Sequence, residues 1–342
     1  MTVRPPERPP TVRDVASAAG VSVATVSRVL SGSPKRVADE ARDRVLEAAS
    51  LLGYSVNTAA KALATGHTGN VGILVPDLAN RHFTMIVRAL THEARASGFH
   101  VFIGDSVGSE AEEAALAGQM ALRSDGLVLC SPRASSTALA PVLTGAKPVV
   151  TVNRRFRDAP RVSSVVVDVL PATRDIVGSM LELGHRHFAY VGASSRSRQN
   201  RRRWTLISEL VTSAGGTVVE EGFDVDHPDL GSEVRRLLGL GCTALVAAND
   251  MVAAAITSTL TELGVAVPEQ VSVSGWDDTA LARWITPQLT TAGMLEDEVA
   301  RAAWSAMSAM LVAPDEVSHV EMSSNPVFRD SIGPVPTTGP TR

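Results

Sequence analysis

Cysteine is scarce in this 342-residue chain, which carries only Cys130 and Cys242. Each lies beside an apolar run of strand type, and their spacing is not that of metal ligands. Both are therefore expected as core thiols. His185 and His187 in "GHRH" have no third ligand near them in sequence, so no metal site is expected. No apolar run approaches the length of a membrane span, and the opening "MTVRPPERPP" has no apolar h-region. A cytoplasmic protein is the expectation. A P-loop, a Gly-x-Gly-x-x-Gly turn and a nucleophile elbow are all missing, so no enzyme activity and no cofactor is expected. No heptad extension follows residue 331, which argues against a tetramer built on a C-terminal coiled coil.

The net charge of −4 is small, but it is unevenly spread. Residues 1–68 hold nine Lys or Arg against six acids, a net of +3, which leaves −7 on the remainder. A small basic module thus leads a larger acidic body, and cation-rich ends of this kind often touch phosphate. The length exceeds what one core serves, so two or three domains are expected.

Between Pro- and Thr-rich ends, 1–10 and 331–342, both predicted to be disordered tails, the chain has two textures. From Thr11 to Leu52 the apolar residues follow helical spacing. From Val71 onward β-rich runs alternate with amphipathic helical stretches, the pattern of parallel α/β units. Predicted strands are 71–75, 100–104, 126–130, 148–152, 164–168, 187–192, 216–220, 243–248, 271–275 and a run near 289–292. The runs fall into two similar halves, each reading strand, polar loop, helix, glycine, strand. Two such lobes leave a cleft at the carboxyl ends of their strands, where open α/β sheets bind ligands.

In the leading module, Thr11 and Asp14 form a capping box for a helix over 12–19, burying Val12, Val15, Ala16 and Ala19. Gly20 ends it. Ser22 caps a second helix to Leu30 with Val26, Val29 and Leu30 inward, leaving Val23, Ala24, Ser27 and Arg28 outward. This is a helix-turn-helix whose outer face is slim enough to enter a major groove. Val23, Ala24 and the Thr25 methyl suit thymine methyls, and Arg28 suits a guanine edge. Ser22 and Ser27 suit phosphates. A third helix, about 39–52, buries Val45, Ala48, Ala49 and Leu52 and stops at Gly53.

The words "TVRDVASAAGVSVATVSRVLSGS", "VLEAASLLGYSVNTAAKALATGHT" and "VGILVPDLAN", followed by "ELGHRHFAYVG", "VAANDMVAAAI", "PEQVSVSGWDD" and "TPQLTT", resemble the lac and gal repressor family over about 11–331. The resemblance implies a helix-turn-helix DNA-binding domain at 11–56 and a hinge helix or linker at 57–68. After them comes a two-lobed effector-binding and dimerisation domain at 69–330. The fold class is then a helix-turn-helix headpiece with a hinge helix, followed by a periplasmic-binding-protein-like α/β body of two Rossmann-like lobes. The implied function is that of a sequence-specific transcriptional regulator, expected to be a repressor. Its affinity for a pseudo-palindromic double-stranded operator answers to a carbohydrate-like effector, and it works as a homodimer.

Residue by residue, the family's base-reading positions fall on Val23, Ala24 and Arg28, and its phosphate-contacting or capping positions on Thr11, Ser22, Thr25 and Ser27. Its hinge segment falls on Asn57 to Gly66, with Leu63 as the minor-groove wedge. A piece so short is too weak to stand as an isolated helix, which favours ordering only on DNA. Implied effector positions are Asn80, Phe83, Arg154, Arg202, Asn249 and Asp277, whereas Asp250, Asp278 and Trp276 suit structural duty. Departures from the family pattern include Ala38 as helix cap, Asn80-Arg81-His82-Phe83, Asn153-Arg154, Asp168-Val169 and Met294. Those in the body, all but Ala38, put a neutral-sugar pocket in question. The run "RSRQNRRRW" leaves two readings open, an anionic effector or a solvated basic loop.

Overall fold

The computed structural model describes residues 10–31, 37–54, 66–192, 197–222 and 230–335, divided between two units, Met1–Thr68 and Gly69–Arg342. Of the predicted hinge segment 57–66, residues 57–65, with Asn57 and Leu63, lie outside the described residues. So do Arg196, residues 1–9 and residues 336–342.

The first unit carries α1 (Val12–Ala19), α2 (Val23–Ser31) and α3 (Asp39–Leu52). The Asp14 carboxylate accepts from the Thr11 N–H at 2.8 Å and its hydroxyl at 2.7 Å, which fixes the start of α1. Gly20 (φ 63°) and Gly53 (φ 62°) end α1 and α3 in the left-handed region that a side chain disfavours. Val15, Ala16, Ala19, Val26, Val45, Ala48 and Ala49 make a core of small residues, so the three helices approach closely. Leu52, predicted to be buried, is 37% exposed. The turn at Gly53 brings Tyr54 back instead: its N–H bonds Ala49 O at 2.8 Å and its side chain packs on the cluster.

In the second unit, the first lobe runs β1 (Asn70–Val75), α4 (Arg81–Ala96), β2 (His100–Asp105), α5 (Glu110–Arg123), β3 (Gly126–Cys130), α6 (Ala140–Leu143), β4 (Val149–Val152) and β5 (Val162–Asp168). Next come α7 (Leu170–Glu182), β6 (His187–Val191), α8 (Arg198–Ser213), β7 (Thr217–Glu221) and α9 (Leu230–Gly239). The second lobe continues with β8 (Ala244–Ala247), α10 (Asp250–Glu262), β9 (Ser272–Ser274) and α11 (Ala280–Trp284). Last are β10 (Thr291–Gly293), α12 (Glu296–Val312), β11 (His319–Ser323) and β12 (Asn325–Val327). All pairs are parallel in the six-stranded sheet β11-β5-β4-β3-β1-β2 and in the four-stranded sheet β7-β6-β8-β9, while β10 and β12 pair antiparallel. Central strands such as β3, β4 and β8 are buried throughout, as parallel strands covered on both faces must be. Among the described residues the chain passes between lobes three times, after β5, β10 and β11.

The buried cysteines fit the expectation: burial pushes the Cys130 thiol up to about 12 and Cys242 to about 11. The predicted C-terminal tail needs correction, because residues 331–335 are tied into the second lobe. The Ser331 hydroxyl accepts from Thr290 N–H at 2.8 Å and donates to Val273 O at 2.6 Å, and Val335 N–H bonds Leu183 O at 2.9 Å. A proline-rich stretch can be held this way by its remaining backbone donors, whatever its composition suggests. His185 joins the same anchor, with Nε2 at 2.9 Å from Gly333 O and Nδ1 at 2.9 Å from the Thr243 hydroxyl. His187 is exposed and meets Thr217, so the two histidines serve separate hydrogen bonds. Ser331→Ala is expected to cost about 1–3 kcal/mol by orphaning a buried N–H and C=O, measurable by urea unfolding.

Candidate functional site

On α2, residues 23, 24, 27 and 28 share one face because helical neighbours recur every three or four positions. Val23 is 42% exposed, and Ala24, Ser27 and Arg28 are exposed beside it. Ser22 caps the helix: its hydroxyl accepts from Thr25 N–H at 3.1 Å and lies 2.9 Å from the Thr25 hydroxyl. Thr25 is half-buried at the edge of the face, and Thr11 sits at the start of α1. Arg44 Nε donates to Ala19 O at 3.1 Å, tying α3 to the last turn of α1.

In the body, the loops after the strands hold several non-glycine residues at positive φ: Ser131 (45°) after β3, Asn153 (62°) after β4, Asp277 (101°) after β9 and Leu295 (55°) after β10. Left-handed backbone on such residues costs energy and is held only where the surroundings dictate it, as at ligand clamps. The six predicted effector residues divide here. Asn80 and Asn249 cap α4 and α10, accepting from His82 N–H at 3.0 Å and Val252 N–H at 2.9 Å. Phe83 is buried in the core that joins the lobes. Arg154 and Arg202 line a cavity of about 300 Å³ with Arg155, Arg157, Arg198 and Glu321. Asp277 lies elsewhere, in a buried polar cluster.

That cluster joins the lobes. His82 of α4 places Nδ1 2.8 Å from Glu296 Oε1, at the start of α12, and 4.0 Å from Asp277 Oδ1. Burial lowers the imidazole pKa, but Asp277 and then Glu296 outweigh it, and the net shift is upward. Burial pushes Asp277 up to about 7 against the pull of His82 and Arg203, with Asp250 and Glu296 adding to the rise. Asp250, raised to about 6 by burial, accepts from Thr279 N–H and the Thr291 hydroxyl, each at 2.6 Å. Gly275 is required beside it, since a Cβ there would stand 2.5 Å from Asp250 Oδ1. Trp276 is buried with its N–H toward the Met294 sulfur, and Asp278 accepts from Arg329 Nη2 at 2.5 Å.

Sequence reasoning passed over Arg203. It is 4% exposed, stacks 4.3 Å over the Trp276 ring and donates to Ala248 O at 2.9 Å. Its Nε and Nη1 have no hydrogen-bond partner among the described residues. A signal for it was available: Arg203 precedes the buried Leu206 and Ile207 by three and four positions, so the inward stripe of α8 passes through 203 and not 202. Arg202 turns outward and pairs with Asp168 Oδ1 at 2.9 Å. His82 and Glu296, 214 residues apart in sequence, carried no such local signal.

A helix-turn-helix unit followed by a two-lobed body with strained, polar strand ends defines the class of DNA-binding regulators that carry a ligand-sensing domain. The comparisons narrow the class. Residues 11–57 match the model for bacterial regulatory proteins of the lacI family, and 177–332 match a periplasmic binding protein-like domain. The chain is 33% identical to the HTH-type transcriptional regulator GalS of Salmonella typhimurium over 287 residues, covering 82% of this chain and 84% of the relative. The fold superposes on the lac repressor dimer bound to operator and the anti-inducer ONPF with a TM-score of 0.81, at 24% identity, covering 95% of this chain and 99% of that one. A complex of the transcriptional regulator CelR with cellobiose gives a TM-score of 0.67 at 25% identity, covering 94% and 99%. The chain belongs to the lacI family and is a DNA-binding transcriptional regulator with an effector-binding body.

A raised carboxyl and a raised imidazole both bind protons more tightly in the folded chain. Their contributions are therefore fullest at low pH and fade as pH rises, from the ordinary 3.8 to about 7 for Asp277 and from 6.5 upward for His82. In scanning calorimetry, the Tm advantage of wild type over His82→Gln is expected to hold below about pH 6.5 and to shrink as pH rises above it. A difference independent of pH would rule out a charged His82 at the lobe junction.

Proposed function

We propose that the chain is a cytoplasmic, homodimeric, non-enzymatic repressor whose grip on a pseudo-palindromic operator is set by a carbohydrate-like effector between its lobes. The observation that carries this reading is the slim, exposed face of α2, with Val23 and Ala24 beside Arg28. Paired headpieces place two such helices in successive major grooves. Val23, Ala24 and Arg28 read bases, and Thr11, Ser22, Thr25 and Ser27 hold phosphates or the helix starts that face them. Asn57 and Leu63 act in the hinge at 57–68, which orders against its copy on bent DNA. The domain limits 11–56 and 69–330 follow from this division of labour.

The operator-bound lac repressor and the cellobiose complex of CelR support the two halves of the reading. Arg154 and Arg202 meet the effector in the cavity they line. The remaining effector contacts are assigned to Asn80, Phe83, Asn249 and Asp277, which a ligand meets only after the buried His82–Asp277 contact opens. Coupling of about 1–3 kcal/mol changes operator affinity roughly 5- to 150-fold.

Selection of bound sites from random duplexes is expected to return a pseudo-palindrome. Arg28→Ala should then lose about 1–3 kcal/mol of affinity and relax preference at one base pair of each half-site. Deleting 57–65 should abolish discrimination while leaving the thermal unfolding of the body unchanged. Equal affinity of the wild-type chain for all duplexes overturns the proposal.

A further inference from the structure

The arginine-lined cavity is built from both lobes. Arg154, Arg155 and Arg157 follow β4 in the first lobe, whereas Arg198 and Arg202 stand four residues apart on one face at the start of α8 in the second. Among the described residues, five arginines thus line a space of about 300 Å³ with one lining carboxylate, Glu321. Two of the five are fixed from behind. Arg154 Nη1 donates to Pro132 O at 2.8 Å and Ala134 O at 2.6 Å, with its guanidinium 4.2 Å over the Phe156 ring. Arg202 is held by Asp168. The other three, Arg155, Arg157 and Arg198, form no hydrogen bond or ion pair with a described residue. The cations feel one another across the cleft: burial first, then Arg198 of the opposite lobe, lowers the pKa of Arg154. Guanidinium forks of one sign around a concave space are an unfilled demand for oxyanions, and guanidinium meets a phosphate or carboxylate with two parallel bonds.

We propose that this cavity binds a small polyol phosphate, whose dianionic end bridges the arginines of the two lobes and whose hydroxyls meet Glu321, so that the ligand latches the lobes together. The volume sits at the small end of ligand pockets, enough for a monosaccharide phosphate. Without the anion, like charges on facing lobes oppose closure; with it, the same charges favour closure. That difference between the two arrangements is what an allosteric ligand must supply. The latch rests on the proposed function only in its effect on the operator, since ligand binding itself is read without DNA.

The test uses the full-length protein in titration calorimetry and thermal shift. Probes are a hexose 6-phosphate, the same neutral hexose and inorganic phosphate, each at two ionic strengths. The ester is expected to bind saturably, to weaken with salt, and to lose at least tenfold in affinity in the Arg157→Gln/Arg198→Gln variant, whose changed side chains are exposed and whose Tm should match wild type. Tighter binding of the neutral hexose overturns the proposal. So does equal binding of inorganic phosphate, which would make the cavity home to an adventitious ion only. So does ester binding that the double variant leaves intact. On the selected operator the ester should change wild-type affinity and leave the double variant unmoved; ester binding with no such change removes the latch. Failure to select any operator overturns the regulator reading and leaves the calorimetric result to stand by itself.

Discussion

Desolvating charge where the two lobes meet is the constraint on which the body depends. His82, Asp277, Glu296 and Arg203 are all under 10% exposed, and an ionised group in that position is tolerable only in company. The first lobe brings His82, the segment returning to it brings Glu296, and the second lobe brings Asp277 and Arg203. Sliding one lobe past the other separates His82 from Asp277 and strands both. Intermediate positions are therefore penalised, and the body is inclined toward discrete arrangements, which is the property a switch requires.

The leading unit works by the opposite economy. Its core is seven valines and alanines with half-buried Val12, Val21, Val29, Leu30 and Tyr54 around them. Small core residues bring the helices close, and small surface residues keep α2 slim, so one compositional bias serves packing and recognition together. Leu51, 80% exposed at the end of α3, and the half-exposed Leu46 show how little apolar surface three short helices can cover.

Most of the fold was legible because the central strands are continuous apolar runs bounded by turn residues. The ten predicted strands match β1 to β10 to within two residues at nearly every end. β11 and β12 were missed for a physical reason: at an edge, "HVEMS" needs only alternate burial, and the three-residue β12 contains a proline. The ordered 331–335 segment escaped notice because its anchors are single hydrogen bonds. Within the site, Arg154 and Arg202 could be placed by position, but which arginine of three points inward depended on the phase of α8. The pairing of His82 with Glu296 is purely tertiary, and no local pattern announces it.

Three passages of chain between the lobes, after β5, β10 and β11, have a mechanical consequence. Several nearly adjacent tethers resist pulling apart and sideways displacement far better than a lone linker, but each can absorb a few degrees of torsion. The joint therefore behaves as a torsion hinge. A molecule wedged at the rim farthest from the tethers has the longest lever arm, so a small change in what fills that gap becomes a measurable swing at the opposite end of the body.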